Sequence, residues 1–375
     1  MLRGVHLTLM VGPVVPVPVP EEVLEALTGV QVVTNAGDAA SGFELTFTLS
    51  TGSPLHTIFL VPGGLSIPLV RVIIAVTING ATDVLMDGVM THHEVKPGTD
   101  AGHATLTVKG KDLTAVMDYV EFNIPYPAMP GEARVALMVA KYAMLGIIPM
   151  IIPSVLLDVP IPLEKIPGQR GTDLNYIKWL AKRVGYVFYL EPGPAPGTSV
   201  AYWGPEIKVG IPQPALNVDM GAHTNVESLS VSYDTESKEL PVIFILNKET
   251  KVIIGIPVLD VTPLNPPLGL IPPIPKGIRP VPGMAKYSPV EALLIGLAKA
   301  AKSSDAVTAT GSLDVLRYGR VLRARRLVGV RGAGLAFNGL YYVKSVTHTI
   351  KRGEYKQNFV LSRNGLISTL PKVPA

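Results

Sequence analysis

Alternating apolar and polar residues predict antiparallel strands in the first 120 positions. Residues 43–49 place Phe and Leu at every second position, with Glu and Thr between them, which is typical of a half-buried strand. Residues 70–78 predict a second strand, and Asn79 and Gly80 then supply the residues of a type I′ turn. The strand pattern resumes at residues 84–86, Asp87 and Gly88 predict another turn, and residues 104–109 predict a further strand.

A helical period replaces the strand pattern after residue 120. Asp112 is predicted to cap a brief helix, and residues 132–145 predict a helix that ends at Gly146. Residues 173–184 carry an apolar stripe with Thr172 as N-cap, and a hairpin of two aromatic-rich strands follows. The middle of the chain is therefore predicted to be α+β.

Strand patterns return from residue 226. Residues 226–233, 242–246 and 251–258 predict strands, whereas the prolines of residues 263–282 predict an extended, rigid arm. A capping box of Ser288 and Glu291 starts a further helix. The chain then closes with a hairpin of residues 341–351 and 354–363. No sequence repeat of 20 to 50 residues is visible.

The composition supports a packed, mainly β protein. The chain has 375 residues with 36 glycines and 35 prolines, which disfavours long helical bundles, and 47% hydrophobic residues, which disfavours disorder. Charged residues make up only 17%, and the mean hydropathy is +0.36, so part of the surface is expected to be buried in partners. The length predicts two or three domains.

Several classes of protein are disfavoured by what the sequence lacks. The most apolar segment, residues 145–163, contains four prolines, so no membrane span is predicted. The first 20 residues do not resemble a secretory signal, and synthesis in the cytoplasm without a signal peptide is expected. The absence of cysteine excludes disulfides and thiolate chemistry.

No catalytic, cofactor or metal site is predicted. His92, His93 and Glu94 invite a metal interpretation, but neighbouring residues of a strand point to opposite faces and cannot bind one ion together. No nucleophile elbow or phosphate-binding motif occurs. Trp179 and Trp203 are the tryptophans of an aromatic-rich segment that favours core packing over a sugar-binding platform.

Arginines cluster once, near the C-terminus. The net charge is +4, and six arginines lie between residues 317 and 331 without the aromatic neighbours of a nucleic-acid site. They are interpreted either as a solvated strand face or as the lining of a channel or a contact with acidic partners. Arg323 and Arg325 would share one strand face, and the channel-lining candidates are Arg323, Arg325 and Arg331.

Three segments carry a family resemblance. The first runs from Asp87-Gly-Val-Met to Leu106-Thr-Val-Lys-Gly-Lys-Asp112, and the second is the helix and strand of residues 171–189, with Leu180-Ala181 and Gly185-Tyr186. The third is the closing hairpin of residues 339–365, with Tyr342-Val-Lys-Ser-Val-Thr-His348. Together they resemble the late control gene D family, the hub proteins of contractile phage tails, and the hub part of the type VI spike protein VgrG.

The resemblance implies two tube-type β-barrel domains, residues 1–120 and 226–375, in a mainly β chain. An α+β insertion domain at 121–225 and a proline-rich and helical insertion at about 240–310 complete it. It further implies a homotrimeric baseplate hub in a virion tail or phage-tail-like particle. The implied partners are an inner tube protein, baseplate wedge proteins, and a tape measure protein or cargo. The chain ends soon after the closing hairpin, so the spike is expected to be a separate protein.

Two other functions stay open at the level of sequence. A tail-associated cell-wall hydrolase is the enzymatic alternative, although no residue pair for it is singled out. A monomeric carbohydrate-binding module that uses Trp179 or Trp203 is the second. A structural hub without enzymatic activity is the prediction that the resemblance favours.

Overall fold

The protein is a mainly antiparallel β structure. The computed structural model describes residues 4–50, 52–60, 69–98, 104–154, 166–236, 238–246, 252–258, 264–284, 287, 289–303 and 305–370. The strands in these residues are β1 (Val5–Gly12), β2 (Val17–Pro18), β3 (Leu27–Asn35), β4 (Gly42–Leu49), β5 (Arg71–Ile78), β6 (Ala81–Lys96), β7 (Ala104–Asp112), β8 (Glu121–Pro125), β9 (Ile147–Ile151), β10 (Gly168–Thr172), β11 (Val187–Pro192), β12 (Ser199–Gly204), β13 (Gln213–Asn217), β14 (Ser228–Tyr233), β15 (Leu240–Leu246), β16 (Ile253–Pro257), β17 (Gly269–Ile271), β18 (Ile278–Pro280), β19 (Val307–Asp314), β20 (Leu327–Arg331), β21 (Gly339–Lys351), β22 (Glu354–Arg363) and β23 (Leu366–Ser368).

Helices are few and short in the part of the chain that the structure describes. The α-helices are α1 (Glu21–Ala26), α2 (Gly131–Ala140), α3 (Asp173–Arg183), α4 (Pro289–Ser303) and α5 (Val315–Tyr318). Short 3-10 helices span Leu113–Asp118, Ala143–Leu145 and Gly221–His223, and a π-helical turn spans His56–Leu60. Two predicted caps are confirmed, because Asp112 accepts a hydrogen bond from the Thr114 amide and Thr172 accepts one from the Asn175 amide.

One sheet of 13 strands runs through both ends of the chain. Its main path has the order β14-β19-β22-β21-β3-β4-β7-β6-β5-β1-β2, with β20 attached to β21 and β13 attached to β20. The antiparallel pair of β21 and β3 joins the C-terminal strands to the N-terminal ones. Four smaller sheets, β8-β10, β11-β12-β9, β16-β15-β18 and β17-β23, carry the remaining described strands.

Three large hydrophobic clusters lie beneath these sheets. The first fills the 13-stranded sheet and includes Leu45 and Phe47 of β4 together with Val346 and Phe359 of the closing hairpin. The second packs α2 and α3 on the β11-β12-β9 sheet around the buried Trp203. The third packs α4 on β15, where Ile243 is fully buried. The α+β character predicted for the middle of the chain is confirmed by the second cluster.

The turn predicted at Asp87 and Gly88 is wrong. Strand β6 continues through both residues to Lys96. Asp87 is buried, and its carboxylate accepts hydrogen bonds from Arg71 Nε at 2.8 Å and Nη2 at 2.7 Å. A partner 16 residues away thus makes Asp87 a strand residue, although the Asp-Gly pair by itself favours a turn.

The proline-rich segment is not a free arm where the structure describes it. Residues 269–271 form β17 and pair with β23, and residues 278–280 form β18 and pair with β15. The predicted extended backbone is confirmed at residues 269–271 and 278–280, where it is held in two small sheets. Pro263 and the predicted helix cap Ser288 lie outside the described residues.

Candidate assembly surfaces

Two six-stranded units of the main sheet share one strand order. The N-terminal unit has the order β3-β4-β7-β6-β5-β1, and the C-terminal unit has the order β14-β19-β22-β21-β20-β13. In both units the chain visits the positions of the sheet in the same order. The first strand of each unit along the chain lies at the same end of the order. One pairing differs, because β1 is antiparallel to β5 whereas β13 is parallel to β20.

The two units also agree in register. In the N-terminal unit the ladder between β6 and β7 is interrupted by a bulge at Thr91, and in the C-terminal unit the ladder between β21 and β22 is interrupted at Lys344. In each unit the strand on the other side, β5 or β20, stops pairing two residues before the bulge, at Val89 and at Tyr342. A bulge at the same place identifies the two units as copies of one architecture.

The bulge fixes which residues of the two units are equivalent. Met90 corresponds to Val343 and Val95 to His348 on the long strands, because each occupies the same step of its ladder. The ladders β4·β7 and β19·β22, followed by β3·β4 and β14·β19, carry the match to the outermost strands. On these outermost strands, residues 29–35 of β3 correspond to residues 228–234. The latter are strand β14 and Asp234, the residue that follows it.

Within the chain the two units meet strand to strand. The bulge-distal half of β21, from Ser345 to Lys351, pairs with β3 from Asn35 to Gly29. His348 and Val32 lie opposite each other and are buried, at 3% and 0% exposure. One continuous ladder between β21 and β3 thus joins the two units. We call this ladder the internal junction.

At the far ends of the two units, the equivalent edges pair with no further strand of the described residues. Among the described residues, the part of β6 that follows its bulge, residues 92–96, pairs only with β7. Strand β14 pairs only with β19. Residues 91–98 are all exposed, and Val95 is 41% exposed where its equivalent His348 is buried. An exposed edge with an apolar side chain is a template for a further strand.

The eight strands from β14 to β6 present one polar face. Alternation puts most of their apolar residues into the first hydrophobic cluster and most of their polar residues on the opposite side, whereas His348 and Gln357 are buried on the core side. Hydroxyl side chains dominate that side: Thr46, Thr48, Thr105, Thr107, Ser228, Ser230, Ser232, Thr308, Thr310, Ser312, Ser345, Thr347 and Thr349. Its charges include compensated pairs, such as Lys109 with Glu44 at 3.0 Å and Lys356 with Glu227 at 3.1 Å.

The arginine candidates lie in a different part of the fold. Residues 319–326 are not in a strand, so Arg323 and Arg325 do not share the strand face that was predicted. Arg323 forms an ion pair with Asp83, and the Arg325 guanidinium lies 4.0 Å from the ring centre of Tyr189. These two therefore connect the C-terminal unit to β6 and to the α+β region. Arg331 ends β20 beside Asn217 of β13.

Arg323 is expected to contribute little to stability. Its ion pair with Asp83 is 35% and 22% exposed, and a pair open to water is worth about 0 to 1 kcal/mol. Arg323→Ala should therefore change the free energy of unfolding in urea by less than about 1 kcal/mol. Arg326→Ala, which removes a more exposed arginine 3.7 Å from Glu191, is the matched control. A loss of several kcal/mol from Arg323→Ala alone would contradict this.

The remaining candidate residues have structural surroundings. His92 and His93 follow each other on the exposed half of β6, and His103 lies outside the described residues. The described part of the chain holds no group of three or more potential metal ligands. Trp203 is only 1% exposed, whereas Trp179 is 45% exposed and stacks on Tyr176. Core packing, the favoured interpretation, is confirmed for Trp203.

Two buried charge clusters were not predicted from the sequence. Arg71 pairs with Asp87 and also donates to the carbonyls of Leu145 and Gly197, which belong to the α+β region. Asp305 accepts from Lys208 and Lys344, each at 3.0 Å. Burial alone would raise the pKa of Asp305, but the two lysines outweigh it and lower that pKa. No local pattern marks these partners, since they are far apart in sequence.

Comparisons with known proteins identify the fold. A tail protein from Neisseria meningitidis MC58 superimposes with a TM-score of 0.63 at 14% identity, over 97% of this chain and 98% of that one. The 43 kDa tail protein of prophage MuSo2 from Shewanella oneidensis gives 0.61 at 13%, over 96% and 98%. A chain of the Francisella PdpA-VgrG complex gives 0.58 at 9%, over 100% of this chain and 60% of that one.

The sequence alone matches neither a protein-family model nor a curated protein. The likeness is therefore one of fold, and the chain has the fold of phage tail and VgrG-type proteins. This confirms the likeness to phage tail and VgrG-type proteins at the level of fold, and membership of the late control gene D family stays a prediction. The matched chains are named as tail proteins and as part of a VgrG complex, and the absence of enzymatic activity stays a prediction from the sequence.

Proposed function

We propose that this chain is the structural hub of a contractile injection system, a phage tail or a phage-tail-like particle. Three copies would form a ring that links a sixfold inner tube to a threefold central spike. The duplicated six-stranded unit carries this proposal, because three chains with two equivalent units present six similar units around one axis. An adaptor between sixfold and threefold neighbours needs that combination.

The composition supports burial of large surfaces between copies. Only 17% of the residues are charged, and exposed apolar residues such as Val95 and Phe244 occur on strands. Obligate interfaces are more hydrophobic than ordinary protein surface. Among the residues that the structure describes, no helix is long and apolar enough to span a membrane.

The hydroxyl-rich face of the eight strands is the best candidate for the wall of a passage. It is continuous across both units, whereas Arg323 and Arg325 contact Asp83 and Tyr189 away from it. A wall of hydroxyl groups and compensated charges would let a polymer pass without holding it, since neither sign of charge accumulates. A channel lining that includes Arg331 remains a prediction from the sequence.

The partners that we propose for the hub are those that the family resemblance implies. They are an inner tube protein, a spike protein, baseplate wedge proteins and a tape measure protein or cargo. The alternative of a monomeric carbohydrate-binding module finds less support, because Trp203 is buried in a core. No described feature favours a cell-wall hydrolase.

The mass of the purified protein in solution tests the proposal. Light scattering is expected to give three times the 39.9 kDa mass of one chain, or to do so once the spike protein is added as a template. Negative-stain images of that species should show a ring with a central passage. A chain that stays monomeric at high concentration, alone and with its spike, would refute the hub.

A further inference from the structure

We infer that the ring closes by an antiparallel ladder between residues 92–96 of one copy and residues 230–234 of the next. This inference rests on the proposed hub and names the seam that seals it. The internal junction is the template, because it joins the equivalents of these two segments within one chain. The partner is therefore a second copy of this chain.

The template fixes the register residue by residue. The internal pairs Ser345–Asn35, Val346–Thr34, Thr347–Val33, His348–Val32 and Thr349–Gln31 set it. Each residue of these internal pairs has an equivalent in the other unit. Pairing those equivalents between neighbouring copies predicts the pairs His92–Asp234, His93–Tyr233, Glu94–Ser232, Val95–Val231 and Lys96–Ser230. Register in a sheet is strongly specified where one face is buried, so a one-residue slip would turn Val95 away from the core.

The side chains suit this register. Val95 and Val231 meet on the face that continues the hydrophobic core, where the internal junction buries His348 and Val32. On the polar face His92 lies opposite Asp234 and Glu94 opposite Ser232, so a carboxylate meets a hydrogen-bond donor at both steps. Pro97 takes the place of Ile350 and has no backbone N–H, which ends the ladder there.

Three copies joined by this ladder form a closed barrel. Each copy contributes the eight strands from β14 to β6, and three copies joined edge to edge form a barrel of 24 strands. At a strand spacing of about 4.8 Å the barrel is roughly 37 Å wide between backbones, and strand tilt widens it further. An α-helix about 10–12 Å across would pass through it. A head-to-tail contact of this kind forms a ring when its rotation closes.

Engineered cysteines test the seam, because the natural chain has none. Val95→Cys combined with Val231→Cys in one chain should give disulfide-linked dimers and trimers on a non-reducing gel after mild oxidation. Paired residues in a ladder have Cα atoms about 4.5–5.5 Å apart, within the range that a disulfide spans. Lys96→Cys with Ser230→Cys, on the exposed polar face, should cross-link in the same way.

Two control variants separate the possible failures. Val95→Cys with Ser232→Cys places the thiols on opposite faces of the sheet and should not cross-link. Gln31→Cys with Thr349→Cys lies in the internal junction and should form a disulfide within one chain, without a change in mass. That variant shows that the fold and the oxidation are sound.

The outcomes distinguish the seam from the hub itself. A trimer by light scattering that fails to cross-link at both seam pairs would overturn the inferred seam and leave the hub intact. Cross-linking through Ser232→Cys instead of Val231→Cys would overturn the register. A protein that is monomeric even with its spike, while the internal control pair still forms its disulfide, would overturn the hub and the seam together.

Discussion

Asp87→Ala is expected to lower the free energy of unfolding by about 3–5 kcal/mol, because it leaves the guanidinium of Arg71 buried without its counter-ion. Both side chains are almost fully buried, at 3% and 0% exposure, and two hydrogen bonds join them. A charge that has lost both water and its partner is among the most costly defects in a protein interior. Urea unfolding monitored by the fluorescence of Trp203 and Trp179 measures the change.

The same substitution should loosen the α+β region. Arg71 donates to the carbonyls of Val14, Leu145 and Gly197, and Ser199 also donates to Asp87 at 3.3 Å. Limited proteolysis is therefore expected to cut the α+β region of Asp87→Ala sooner than that of the natural chain.

A surface pair supplies the control for Asp87→Ala. Glu44→Ala removes the partner of Lys109 from an ion pair that is 38% and 49% exposed, and should cost no more than about 1 kcal/mol. Arg71→Met added to Asp87→Ala would remove the stranded charge and is expected to recover part of the loss. Equal losses from Asp87→Ala and Glu44→Ala would show that the buried pair is not a main support of the fold.

Local sequence patterns predicted the strands and the helix caps, but not which side chains from distant parts of the sequence contact each other. The alternation of residues 43–49 predicted which side chains of β4 are buried, since the period of a strand is set by its own backbone. Asp112 and Thr172 were found as caps because a cap bonds within three residues. Asp87 was mistaken for a turn residue, because its partner Arg71 lies on another strand.

The family resemblance implied two similar domains, but the residues of the two six-stranded units show no repeat of their own. At equivalent positions of the two units the side chain lies on the same face of the sheet, but the residue type differs. Phe43 corresponds to Ala309, and Val95 corresponds to His348. Packing selects for volume summed over a core, so two copies can fill similar interiors with different residues. The bulges at Thr91 and Lys344, which reveal the equivalence, leave no turn signal in either strand.

Acid is expected to weaken the fold through His348, which lies in the internal junction. Burial, reinforced by the charge of Arg323, lowers the pKa of His348 to about 3, whereas the unfolded chain has a histidine pKa of about 6.5. Its Nδ1 lies 2.9 Å from the Tyr355 hydroxyl, and Gln357 is also adjacent. The neutral imidazole is therefore the form that the junction accommodates.

The sign of the pH effect follows from these two pKa values. Below pH 6.5 the unfolded chain binds a proton at this histidine and the folded chain does not, so stability falls as the pH falls towards 3. Between pH 7 and pH 4 the loss should be about 3 kcal/mol from this group, at 1.36 kcal/mol per pKa unit. His348→Gln keeps a polar side chain without titrating, and its unfolding free energy should depend less on pH over that range. Parallel pH profiles for His348→Gln and the natural chain would refute this assignment, whereas a flatter profile would place the acid sensitivity at the junction between the two units.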